Sequence, residues 1–272
     1  MRKRLSEFHP AIYRTRILQK RLFRTVGDIA GGLEFAAERV DGNLPFSCTR
    51  HQSLLRRRLG NSDPQLQENK IHNLKIACPP IDGIVIRPGE IFSFWKCVGE
   101  AAAAKGYVEG MQLSQGLVVR GVGGGLCQLS NLLYWMALHT PLTVTERHHH
   151  SFDPFPDENR TLPFGSGAGV FYNYIDLRVL NQTELTFQIK VWLTGDHLKG
   201  SIYSDAETPN SYHVFEKNHR FLTRNGSSYR ENEIWRNVVD RRTGNKLREE
   251  LIVKNFSEVK YELNFGTQQC SF

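Results

Sequence analysis

Four glycines between Val119 and Cys127 separate a strand-like run from a helical one, and this switch constrains the fold more than any other feature of the chain. The stretch reads VVRGVGGGLCQLSNLLYWMAL over residues 118–138. Residues 115–120 have strand composition, whereas Leu129, Leu132, Leu133, Met136 and Ala137 recur with a helical period. A helix is therefore predicted from Cys127 to His139, stopped by Pro141, after which residues 142–150 alternate like a strand. Glycine at such a junction tolerates positive φ and close backbone approach, so N–H groups can converge on one concavity.

The residues around this junction can carry chemistry. Cys127 at a helix start sits where the helix dipole favours a thiolate. On a strand, Glu146, His148 and His150 share one face, and Arg147 and His149 take the other. A base and a carboxylate are thus presented together, so His148 or His150 can serve Cys127 as general base. A purely structural reading also holds: small cysteines are often core residues, and glycines before a helix can simply make a tight turn. A third reading joins Cys127, His148 and His150 as metal ligands, but neither a CxxC nor an HxxxH accompanies them, and no metal or other cofactor is expected. The run is not a dinucleotide loop, because Leu126 stands where GxGxxG needs glycine, and no GK[ST] follows.

Charge is concentrated at one end. Residues 1–60 hold thirteen Lys and Arg against five Asp and Glu, and the remainder is nearly balanced at 22 against 23. On a helical wheel from Pro10, Ala11, Ile12, Leu18, Leu22, Phe23 and Val26 share one arc. Arg14, Arg16, Lys20, Arg21 and Arg24 share the opposite one. Such a helix either docks on the domain with its basic face in water or lies on an anionic membrane surface. Nucleic acid is not expected as a partner, since no aromatic platform or reading motif accompanies the charge. No apolar run is long enough for a spanning helix, and the basic N-terminus has no apolar region of a secretory signal. Five cysteines without a spacing pattern fit a reducing compartment. The expected location is cytoplasmic, with peripheral attachment at the inner membrane face as an option.

The remaining elements fill out an α+β fold: an antiparallel sheet with the cysteine-bearing helix packed against it, plus a basic helical N-terminal segment. Helix is predicted over residues 10–40, broken at Gly31-Gly32 and resuming through LEFAAERV, over 49–59, and around 64–77. Strands are predicted at GIVI and EIFSFW, and an antiparallel meander over 170–180, 184–193 and 198–204. The division expected is residues 1–66 as the basic segment, 67–205 as the core and 206–272 as a hairpin-rich extension without an assigned role.

Four segments carry a resemblance to the VanW-like family: RPGEIFSFWKCVGE (87–100), GYVEGMQLSQGLVVRGVGGGLCQLSNLLYWMAL (106–138), ERHHHS (146–151) and DLRVLNQTE (176–184). The resemblance implies a bacterial cell-envelope role linked to glycopeptide resistance, without an established reaction. It makes Gly123, Gly124, Gly125, Cys127, Gln128, Ser130, Glu146, Arg147, His148, His150 and Ser151 the motif positions. Many relatives carry an acidic residue at the position of Gly167, so Glu146, Asp153 or Asp176 would have to replace it here. Relatives often also have an N-terminal membrane anchor, where this chain has its basic helix. The function implied is an accessory glycopeptide-resistance protein acting on or binding a peptidoglycan precursor or stem peptide. In the catalytic form, Cys127, His148, His150 and Glu146 perform acyl transfer or hydrolysis. Gly123, Gly124, Gly125, Gln128, Ser130, Arg147 and Ser151 then hold the substrate. In the alternative, the protein is a non-enzymatic module for a cell-wall peptide or a partner protein.

Overall fold

A computed structural model describes residues 10–56, 63–114, 117–149, 152–153, 156, 161–172 and 174–262. The elements in chain order are α1 (Pro10–Ala30), β1 (Phe46–Leu54), α2 (Gln65–Ala77), β2 (Ile84–Ile86), β3 (Ile91–Ser93) and α3 (Phe94–Val98). They continue with β4 (Glu109–Ser114), β5 (Leu117–Val122), α4 (Cys127–Leu138), β6 (Thr143–Glu146), β7 (Phe152–Asp153) and β8 (Arg178–Leu180). The last five are β9 (Phe187–Leu193), β10 (His197–Ser204), β11 (Asn210–Arg224), β12 (Ser227–Asp240) and β13 (Lys246–Val259). The fold is α+β, as its sequence pattern indicates.

The central sheet has the order β1-β10-β9-β2, all antiparallel. Along β9, Phe187, Ile189 and Val191 turn into the core at alternate positions. Helix α4 lies across β1 and β10. Its Leu129, Leu132, Leu133 and Met136 are almost wholly buried; each such side chain contributes on the order of 2 kcal/mol. Gly200 of β10 lets the helix come close, since a Cβ there would lie 2.7 Å from Met136 Cε. A smaller sheet, β3-β8-β6, carries the strand that ends at Glu146.

Three local expectations are corrected. Residues 49–59 were expected to be helical, but residues up to Leu54 form β1, whose pairing with β10 outweighs a local helical pattern; residues 57–59 lie outside the described set. LEFAAERV is extended, not helical. Its backbone is taken up by strand edges: Ala36 donates to Ile91, Val85 to Glu38 and Val40 to Gly83 at 2.9–3.0 Å. The buried Gln188 holds the following turn, donating to the carbonyls of Val40 and Gly42. Finally, β8 does not pair with β9 in a meander; it joins β3 and β6.

The N-terminal helix is the largest correction. It docks through its charged face, not its apolar one. Arg24 grips Glu146 with both terminal nitrogens, and Asp28 grips Arg178 in the same bidentate manner. Arg21 lies over the ring of Tyr172, and Lys20 over that of Tyr174. The apolar arc consequently faces outward. Acidic partners on the core, invisible in the helix's own sequence, reverse the usual orientation.

The C-terminal residues form three long antiparallel strands, β11-β12-β13, with β7 added in parallel. The buried amide of Asn232 donates to Phe164 O at 2.7 Å, and Asn255 donates to Asn232 at 2.8 Å. Gly165 is in the left-handed region, and a Cβ there would collide with Asn255. This sheet therefore supports the loop that passes beside α4.

Candidate functional site

The glycine run is filled from behind by protein. Gly110 and Gly124 touch backbone to backbone: a Cβ on Gly124 would lie 2.2 Å from the carbonyl carbon of Gly110. A Cβ on Gly123 would strike Ala101, and one on Gly125 would strike Lys70. The N–H groups of Gly123 and Gly124 are bonded to Val108 O and Gly121 O at 3.0 Å. Asn73 of α2, fully buried, donates to the carbonyls of Val108 and Gly124, and its Oδ1 accepts from Val108 N–H. The loop's polar groups are thus largely engaged inside the protein.

Cys127 opens α4, directly after that loop. Burial pushes its thiol above the ordinary range, while backbone hydrogen bonds from Val170 and from Cys127 itself act the other way. The next polar residues of the helix are also committed. Gln128 donates to Ser53 Oγ at 2.8 Å and to Leu54 O at 2.9 Å, so it ties the helix to β1. Ser130, fully buried, donates to Ala168 O at 2.6 Å, and Asn131 Oδ1 accepts from Ala168 N–H at 2.7 Å. A Cβ at Gly167 would approach Asn131 Oδ1 to 3.0 Å, so a larger residue there would press on this latch.

Across the same segment stand Glu146, Arg147 and His148. Arg147 points inward: its Nε donates to Gly167 O at 2.8 Å, a second nitrogen donates to Gly165 O, and the guanidinium covers the Tyr134 ring. Gly169 N–H bonds to His148 O at 2.7 Å. The stretch from Gly165 to Val170 therefore borders both the thiol, which Val170 bonds, and the His148 backbone just beyond β6, which Gly169 bonds. No hydrogen bond joins Cys127 to His148 among the described residues. His150 and Ser151 lie outside that set.

Glu146 is the carboxylate that reaches the imidazole. Its Oε1 lies 3.1 Å from His148 Nε2 and also accepts the Asp176 N–H at 2.9 Å. Burial acts to raise the Glu146 carboxyl, but hydrogen bonds from Arg24, Asp176 N–H and His148, with the Arg24 charge, leave it below the usual value. Asp176 is deeply buried, and burial raises its carboxyl despite bonds from Ser93, Trp95 and Arg178. Asp153 sits apart, paired with Arg230 at 3.2 Å and bonded by Tyr261 at 3.0 Å. Of the three acidic residues named as stand-ins for a carboxylate at Gly167, Glu146 alone is bonded to His148.

Arg24, Asp28, Asp176 and Arg178 were not singled out from sequence as part of this cluster, apart from Asp176 as a substitute acid. A run of basic residues on one helix arc was the available signal, but it named no partner. Among the described residues, no group of three His, Cys, Asp or Glu side chains is arranged to hold a metal ion.

A family profile described as VanW like protein matches residues 69–203. The chain is 32% identical over 262 residues, 96% of its length and 95% of the relative's, to the vancomycin B-type resistance protein VanW of Enterococcus faecalis (strain ATCC 700802 / V583). It is 29% identical over 140 residues, half of this chain and 44% of the relative, to the uncharacterized protein YoaR of Bacillus subtilis (strain 168). No solved structure matches. The match to the Enterococcus protein spans 96% of the chain, and the chain belongs to the VanW family.

Proposed function

We propose that this chain is an accessory glycopeptide-resistance protein that binds a peptidoglycan precursor, or its peptide stem, beside the Glu146–His148 pair. The near full-length similarity to a vancomycin B-type resistance protein carries the resistance role. Binding in preference to thiol catalysis is supported by the surroundings of Cys127: burial pushes its thiol above the ordinary range, and among the described residues no hydrogen bond joins it to His148. His148 itself is accessible, with 44% of its side chain exposed, and its partner Glu146 fixes the ring. An imidazole oriented in this way can donate to a peptide carbonyl or accept from an amide.

The thiol reading has one observation in its favour. The sulfur sits at the start of α4 and within reach of the Val170 N–H, a place where negative charge would be stabilised once formed. In that reading Cys127 is the nucleophile and His148 or His150 the base, in acyl transfer or hydrolysis on a cell-wall peptide.

One experiment separates the two. Variants Cys127→Ala and His148→Ala, each checked for a native melting curve, are tested for restoring glycopeptide resistance to a strain lacking the gene, and for binding a synthetic stem pentapeptide by calorimetry. The binding function requires Cys127→Ala to retain both activities and His148→Ala to lose affinity. Loss of resistance in folded Cys127→Ala, with peptide binding intact, would establish the thiol reading in its place. Absence of peptide binding by the wild-type protein would overturn the proposed ligand.

A further inference from the structure

Among the described residues, the outward face of α1 is an apolar stripe without a partner. Ile12, Leu18, Leu22, Phe23, Val26 and Ile29 are between 46% and 75% exposed. Scattered exposed apolar residues are ordinary, but six along one helix amount to a contiguous patch of the kind that marks an interaction surface. The inward face cannot turn to cover them, because Arg24 and Asp28 are clamped by Glu146 and Arg178.

We infer that α1 is an interfacial helix whose apolar face seats in an anionic lipid surface while its charged face remains bound to the core. The charge distribution selects this occupant. Residues 1–60 carry the chain's whole excess of positive charge, and Arg-Lys-Arg at residues 2–4 precedes the helix in sequence. The exposed Arg16 borders the stripe on the side of Phe23. A helix with one apolar face and basic residues at its margins gains from apolar burial and from attraction to anionic headgroups together. A second copy of the chain offers the opposite balance, since it would bring two positive segments into contact. The helix is not a membrane span: no helix among the described residues is long and apolar enough to cross a bilayer. The stripe faces away from the contacts made by Glu146, so lipid seating and peptide binding succeed or fail separately.

The test is co-sedimentation of the full-length protein with phosphatidylglycerol–phosphatidylcholine vesicles and with pure phosphatidylcholine vesicles, at low and high salt. Preferential binding to the anionic vesicles, weakened by salt, is expected. Leu22→Glu and Phe23→Glu should each lower partitioning at least about tenfold, and Arg16→Glu at least about fivefold. Leu247→Glu, an exposed apolar position on β13, should leave partitioning unchanged. Unchanged melting curves would show that the variants fold. The inference is overturned if anionic vesicles do not bind the protein, if neutral vesicles bind it equally, or if Leu247→Glu is as damaging as Phe23→Glu. It is also overturned if sedimentation equilibrium shows a dimer that Leu22→Glu dissociates while vesicle binding is absent.

Discussion

Arg24 and Glu146, 122 residues apart in sequence, meet through two parallel hydrogen bonds of 2.6 and 2.7 Å, each side chain less than one-fifth exposed. The same carboxylate accepts from Asp176 N–H and contacts His148, so one residue both fastens α1 and orients the imidazole. Removing the guanidinium leaves a half-buried carboxylate with fewer donors. Arg24→Ala is expected to cost about 2 kcal/mol, read from the urea midpoint, and to make α1 the first site of limited proteolysis. Arg24→Lys, which keeps the charge but not the fork, should fall between the two. An Arg24→Ala protein with unchanged stability and unchanged cleavage of α1 would show that the helix is held by other contacts.

The joint should respond to acid. Burial opposes ionisation of Glu146 and Asp28, but their arginine partners prevail and both carboxyls sit below ordinary values. Groups depressed on folding add stability that is fully present above their unfolded values near about 4 and is lost as pH falls through the folded values. Asp176 has the opposite sign: burial raises it, so its ionised form costs stability near neutrality and acid relieves that cost. With two depressed groups on the joint itself, docking of α1 should loosen below about pH 4. Stability of Glu146→Gln should change less than wild type over the same acid range. Tightening of wild type in acid would contradict this account.

Native cysteines should be slow to alkylate. Burial pushes Cys78 and Cys97 up to about 12 and raises Cys127 and Cys48 as well. Iodoacetamide at neutral pH, followed by peptide mass spectrometry, should label these four far more slowly in the folded protein than in urea. Rapid labelling of Cys127 at pH 7 would mark a stabilised thiolate and favour the catalytic reading.

The glycines separate by what surrounds them. Gly124→Ala would drive a methyl into the Gly110 carbonyl and should cost roughly 3 kcal/mol. Gly195→Ala meets nothing within 4 Å and should change the melting temperature little. Comparable losses at both positions would mean that the close approach of the two backbones is not what limits position 124.

Periodicity made the central elements readable. The leucines of α4 and the β9–β10 hairpin follow from local pattern; the strand predicted over residues 142–150 is regular only over Thr143–Glu146, but the two-residue spacing of Glu146 and His148 did place them together on one side. What failed was decided at long range. Residues 49–54 look helical until β10 supplies an edge, and residues 33–40 are extended because Ile91 and Gly83 take their backbone bonds. The orientation of α1 depends on carboxylates at Glu146 and on Arg178, far along the chain. The segment that borders Cys127 and His148 was invisible for the same reason, since Gly165-Ser166-Gly167-Ala168 has no pattern of its own and is placed by Asn131, Arg147 and the C-terminal sheet.

The contact between Gly110 and Gly124 bears on how a signature such as GGGLC is to be interpreted. Each of these two positions excludes every side chain because the other occupies the space, so neither can drift and no change at one rescues a change at the other. Selection would keep both glycines in a protein that performed no reaction at all. A sequence mark of this kind can identify a lineage while remaining silent about catalysis, and the chemical meaning must be sought in residues whose replacement the backbone would tolerate, such as His148.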